Sequence, residues 1–168
     1  CYVYVQDRTR KNSGEQLDYV LSLIKKYSLV YVEDPFHEED FESFAELTKK
    51  VKECLICGDD LFVTSKERLA QGLSLRAANA IIIKINQVGT LTDAWETTRI
   101  AKKAKYTPII SHRSGETADT KIAHLAVALN CPIIKTGIVG GERIAKINEL
   151  IRIEEILGKK AKMSTICI

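Results

Sequence analysis

Five polar groups recur along this chain at nearly even intervals: Glu33, Asp59, Lys84, His112 and Lys135, separated by 26, 25, 28 and 23 residues. Each stands at or just beyond the end of a short apolar run, at residues 29–32, 55–57, 80–83, 108–110 and 132–134. Glu33 and Asp59 are hard oxygen donors of the kind that hold Mg2+ together with substrate and water. Lys84 is flanked by Ile83 and Ile85, and a lysine at the end of a buried run is costly unless it is paired or functional. Lys84 and Lys135 lie two runs apart and can point into one cavity, where burial and a neighbouring cation lower a lysine's pKa and make it a base. Ser111-His112-Arg113-Ser114-Gly115 offers hydroxyls, imidazole, guanidinium and backbone N–H groups at the expected start of a helix, a combination that favours phosphate. Divalent metal, base lysine and phosphate site together suit abstraction of a proton next to a carboxylate, with metal ions holding the enediolate. Any one of these residues alone is as readily a strand cap or the start of a solvated loop. The recurrence of all five in phase marks a site.

The elements that must position these groups follow from the pattern between them. The five runs are rich in Val and Ile and nearly continuously apolar, as parallel strands buried on both faces are. Pro108 and Pro132 head their runs, where a missing N–H is tolerated. Leu17, Val20, Leu21 and Ile24 fall on one helical face before the first run, and Phe41, Phe44, Leu47 and Val51 on another after it. Further helices are expected over residues 92–105, 117–129 and 142–157. The last carries an apolar stripe of Ile144, Ile147, Leu150, Ile151, Ile153 and Ile156, with Gly158 at its C-terminal cap. Residues 66–78 are interrupted by Gly72 and read as two short helices. Strand and helix in repeated alternation predict right-handed βαβ units, a parallel sheet and the α/β class. Catalytic groups at the carboxyl ends of several strands are the arrangement of an α/β barrel.

Composition bounds the rest. The chain has 168 residues, 45% hydrophobic and 28% charged, the make-up of one globular domain rather than a disordered chain. A complete (β/α)8 barrel takes about 250 residues, so a partial one is expected. A net charge of +3 is too mild for a nucleic-acid partner. Lysine pairs at Lys49-Lys50, Lys102-Lys103 and Lys159-Lys160 suit helix C-termini. Five cysteines, an odd number, argue against a disulfide framework and fit a reducing cytoplasm. Cys54 and Cys57 have CxxC spacing within a strand-like run, which points them to opposite faces as packing thiols. No run reaches 18 apolar residues, so no membrane span is expected, and with a polar start no signal peptide is expected. A first residue of Cys rather than Met is compatible with a piece of a longer chain.

Val32-Glu33-Asp34-Pro35-Phe36, Gly58-Asp59-Asp60-Leu61-Phe62-Val63-Thr64 and Lys84-Ile85-Asn86-Gln87-Val88-Gly89-Thr90-Leu91 resemble segments of the enolase family. So do Ser111-His112-Arg113-Ser114-Gly115-Glu116-Thr117 and Lys135-Thr136-Gly137, followed by Glu142-Arg143 and Arg152-Ile153-Glu154-Glu155. The likeness runs from about residue 15 to 158, and Ile138-Val139-Gly140-Gly141 is closer to archaeal enolases than to yeast or animal ones. It implies the C-terminal part of an enolase-type TIM barrel over residues 1–168, of about five parallel βα units, with residues 159–168 as a tail. It implies Mg2+-dependent, reversible dehydration of 2-phosphoglycerate to phosphoenolpyruvate in glycolysis and gluconeogenesis. Glu33 and Asp59 match two of three carboxylates that hold Mg2+. Lys84 matches the base for the α-proton, and Lys135 the lysine that contacts the substrate carboxylate. Ser111, His112, Arg113 and Ser114 match the substrate and phosphate loop.

The departures are specific. The family's N-terminal capping domain, first barrel strands, first metal carboxylate, proton-donating glutamate and lid loops have no counterpart among these motifs. The isolated segment is therefore expected to be inactive, because groups that act as a unit fail together. Open sheet edges are expected to make it associate, so a homo-oligomer is expected. A truncated, non-catalytic binding or scaffold relative is one alternative. An acid-sugar dehydratase or racemase of the wider superfamily is another, which the phosphate-loop and Lys84–Leu91 motifs oppose.

Overall fold

A computed structural model describes residues 1–166 of the chain. The first strands, β1 (Tyr2–Tyr4) and β2 (Thr9–Lys11), form a small antiparallel hairpin outside the pattern of the five apolar runs. Helix α1 (Ser13–Tyr27) starts from a capping box, in which the Asn12 side chain accepts from Glu15 N and Glu15 reaches back to Asn12 N. β3 (Tyr31–Glu33) leads to α2 (Phe41–Lys50), capped by Asp40 and closed by Lys49 and Lys50 in its last turn. β4 (Leu55–Gly58) leads to α3 (Lys66–Leu75) and β5 (Ala80–Ile83) to the single turn α4 (Ile85–Val88) and then α5 (Leu91–Lys103). β6 (Thr107–Ser111), α6 (Lys121–Ala128), β7 (Ile133–Lys135) and α7 (Gly141–Leu157) complete the series.

The five strands β3 to β7 lie side by side in chain order, all parallel. Their register brings the strand ends level: Glu33 pairs Cys57, Ile83 pairs Ile110, and Ser111 pairs Lys135. Alternation of side chains then divides the core in two. Ile56, Ile81 and Ile83 face the helices and pack with Leu17, Phe44, Leu47, Phe62 and Leu69. Leu55, Cys57, Ala80, Ile82 and Ile109 form a second cluster on the other face, the interior of the arc. Cys54 and Cys57 belong to opposite clusters, as strand periodicity requires, and both are buried and unpaired. Cys167 lies outside the described residues.

Two expectations change. Residues 66–75 form one helix, not two. Gly72 does not break it, because it is the space into which the Phe62 ring packs: a Cβ there would stand 2.4 Å from Phe62 Cε1. The segment after β6 is not the start of a helix. α6 begins only at Lys121, so residues 112–120 are a loop without a helix N-terminus behind them. The apolar stripe of α7 is only partly covered: Ile147, Leu150 and Ile153 are half-buried. Ile144, Ile151 and Ile156 are exposed, and the helix's one buried residue is Lys146. Gly158 does cap it, and Gly158–Lys160 adds a turn of 3-10 helix.

Candidate functional site at the strand ends

The level strand ends bring the carboxylates and lysines together. Glu33 ends β3, Asp59 follows β4, Lys84 follows β5 and Lys135 ends β7. Lys84 Nζ donates to Asp59 Oδ2 at 2.6 Å, and Lys135 Nζ donates to Glu33 Oε1 at 2.5 Å. Lys135 Nζ also stands 3.9 Å from Asp59 Oδ2, so both lysines reach the same carboxylate. Asp59 Oδ1 is buried and has no hydrogen-bond partner. A buried carboxylate oxygen without a donor is costly unless a cation takes it up. Two carboxylates, one with an unused buried oxygen, are a donor set that fits Mg2+. Among the described residues no third His, Cys, Asp or Glu joins them, so Glu33 and Asp59 are the residues that would hold the ion.

The electrostatics divide the pair. Burial raises the Asp59 carboxyl, and the Lys84 hydrogen bond does not fully offset it. Burial also opposes the charge on Glu33, yet hydrogen bonds from Lys135 and Tyr31 win and hold its carboxyl below the usual range. The expectation that burial and a second cation depress the Lys135 amine is corrected here. Desolvation does push it down, but the Glu33 hydrogen bond and charge outweigh that, and the amine is raised.

Several neighbours set this geometry and were not singled out in the sequence. Tyr31 OH donates to Glu33 Oε2 at 2.5 Å. Asp34, in the left-handed region at φ 41°, accepts from the backbone N–H of Asp59 at 2.9 Å and of Asp60 at 2.8 Å. It thereby ties the end of β3 to the loop that carries Asp59. Thr64 Oγ1 accepts from Lys84 N at 2.9 Å, and Thr64 O accepts from Thr97 Oγ1 at 3.0 Å. Val63 and Thr64 both take positive φ, unusual for β-branched residues, and this bend turns Thr64 toward Lys84. No local pattern in the sequence marks that strain.

Ser111, His112, Arg113 and Ser114 stand beside this cluster rather than in it. His112 N donates to Lys135 O at 3.0 Å, which binds the loop to the end of β7. Ser111 Oγ donates to His112 O at 2.9 Å, and Arg113 Nη1 to Asn86 Oδ1 at 3.3 Å. The Arg143 guanidinium donates to the His112 ring, to Ser114 O at 3.3 Å and to Thr136 O at 3.4 Å. Partial burial and the Arg143 charge lower the His112 pKa from its ordinary value of 6.5. A neutral imidazole is also the form that can accept from a guanidinium.

Carboxylates and lysines gathered at the carboxyl ends of parallel strands define the class: a strand-end site of an α/β barrel. Residues 4–166 match the family model described as enolase, C-terminal TIM barrel domain. The chain belongs to the enolase family. It is 62% identical over 157 residues to the enolase of Methanosphaera stadtmanae, covering 93% of this chain and 38% of that protein. It is 59% identical over 155 residues to the enolase of Methanothermobacter thermautotrophicus, covering 92% and 37%, and 54% identical over 156 residues to that of Archaeoglobus fulgidus, covering 93% and 39%. The chain therefore spans less than two fifths of the length of these curated relatives.

Proposed function

We propose that this chain is the base-bearing and phosphate-binding part of an enolase that interconverts 2-phosphoglycerate and phosphoenolpyruvate. The observation that carries the reading is the convergence of Lys84 and Lys135 on one carboxylate, with Glu33 beside it. When bound, Mg2+ supplies the positive charge that neutralises these carboxylates and stabilises an enediolate. Glu33 and Asp59 are the residues that would hold it. Lys84 Nζ takes the proton from the carbon next to the substrate carboxylate, in its neutral form and released from Asp59. Lys135 places a fixed positive charge against the substrate carboxylate, and its raised pKa suits that role better than the role of base. His112, Arg113 and Ser114, with Ser111 bracing the turn, receive the phosphate. The hydroxyl of the adjacent carbon then leaves as water, protonated by an acid that these motifs do not include.

The test uses the full-length gene product that contains this sequence. It is expected to form phosphoenolpyruvate from 2-phosphoglycerate, to lose that activity on chelation of divalent metal, and to leave non-phosphorylated acid sugars unchanged. Turnover of acid sugars alone would assign it to another branch of the superfamily, and turnover of neither would favour a non-catalytic role.

A further inference from the structure

Lys146 is the one buried residue of α7, 1% exposed, on a helix that leaves Ile144, Ile151 and Ile156 exposed. A fully buried ammonium is unfavourable unless all its donors are used. All three are. Lys146 Nζ donates to Glu142 O at 2.7 Å within its own helix, donates to Thr117 O, and pairs with Glu116 Oε1 at 3.4 Å. The two loop partners immediately follow the Ser111–Ser114 segment. Glu116 passes the constraint back: its Oε1 accepts from Thr117 N at 2.9 Å and its Oε2 from Arg113 N at 3.4 Å. Burial opposes the charge on Glu116, but these N–H groups and Lys146 hold its carboxyl below the usual range. The loop has no helix N-terminus to shape it, since α6 begins only at Lys121. Its conformation depends on side chains reaching in from α7.

We propose that Lys146 is a positioning residue for anion binding: through Glu116 and the Thr117 carbonyl it holds Arg113 and the preceding loop open toward a phosphate group. This rests on the reading that the 111–114 segment binds the substrate phosphate. Lys146 itself lies behind the loop and does not touch the ligand.

The experiment uses the full-length gene product and inorganic phosphate as a competitive probe beside 2-phosphoglycerate. Lys146→Met keeps the stem and removes the donors. It is expected to raise the inhibition constant for phosphate and the KM for 2-phosphoglycerate about tenfold, while kcat at saturation and Mg2+ affinity stay within about threefold. A purely structural role would impair all four together, raising the inhibition constant and KM while lowering kcat and Mg2+ affinity. A folded Lys146→Met protein, checked by near-ultraviolet circular dichroism, whose phosphate inhibition constant is unchanged overturns the proposal. If that variant does not fold, Glu116→Gln decides: a several-fold weaker phosphate inhibition supports the proposal, and unchanged inhibition overturns it. Arg113→Ala separates the two readings. If it weakens phosphate and Lys146→Met does not, only the positioning role falls. If the parent protein neither turns over 2-phosphoglycerate nor is inhibited by phosphate, the functional reading falls and this proposal with it.

Discussion

Lys84 Nζ lies 2.6 Å from Asp59 Oδ2, so the amine suited to take a proton is held by a carboxylate suited to bind a metal ion. Both side chains are largely withdrawn from solvent, at 13% and 9% exposure. Each is the partner that makes burial of the other tolerable. The pair links stability to chemistry, and substitutions in it should be read on both scales.

Lys84→Ala in the full-length protein is expected to abolish exchange of the substrate α-proton with solvent. Hydrogen exchange into deuterated water, followed by NMR, measures this directly. Retained exchange would move the base role to Lys135. The same substitution strands the Asp59 carboxylate, and urea denaturation should show a loss of about 3 kcal/mol.

Glu33→Gln keeps the shape of the side chain and removes its charge. Calorimetric titration with Mg2+ should give an affinity at least about tenfold weaker. An unchanged titration would remove Glu33 from the ligand set. Because Glu33 also anchors Lys135, the variant should lower the Lys135 pKa, which the Glu33 hydrogen bond now raises.

His112 carries a pKa below 6.5, because burial and Arg143 disfavour the imidazolium. The unfolded chain therefore takes up this proton first as pH falls. Stability contributed by the neutral ring is complete above 6.5, declines as pH drops toward the folded-state pKa, and does not decline further below it. An NMR titration of the His112 ring should find the depressed value. Arg143→Gln should move it upward, and a midpoint that stays in place would show that Arg143 does not act on the ring.

Gly72→Ala sets two effects against each other. Alanine is the better helix former by about 1 kcal/mol. Its Cβ, however, would meet Phe62 Cε1 at 2.4 Å, and Phe62 is fully buried between the rings of Phe41 and Tyr106. Overpacking of about 1–3 kcal/mol should win, so the variant is expected to be less stable by chemical denaturation. A more stable variant would mean that Phe62 can move aside.

The sequence by itself determined the α/β class, the five parallel strands and the group at the end of each. Val- and Ile-rich runs bounded by a polar residue are a local signal, and the interval from Glu33 to Lys135 repeats it without a break. The Ser-His-Arg-Ser-Gly-Glu-Thr and Lys-x-Asn-Gln motifs carried the family likeness, which the match over residues 4–166 bears out. The short hairpin from Tyr2 to Lys11 gave too little alternation to read. The α7 stripe was legible as a stripe, but helical periodicity records only which residues share a side, not how much of that side is covered.

Only the tertiary structure decided who partners whom. Asp34 looks like a second carboxylate beside Glu33, but its left-handed backbone turns it onto the N–H groups of Asp59 and Asp60. Lys146 looks like one more solvated helix lysine, but it is the buried end of a clamp on the loop after β6. Lys135 was expected to be depressed and is raised, because Glu33 from the far edge of the sheet lies within hydrogen-bonding distance. These contacts join residues about 25 to 100 positions apart. Residue type and spacing specify local geometry, whereas hydrogen-bond partners and electrostatic shifts depend on which distant strand ends the curved sheet brings within about 3 Å.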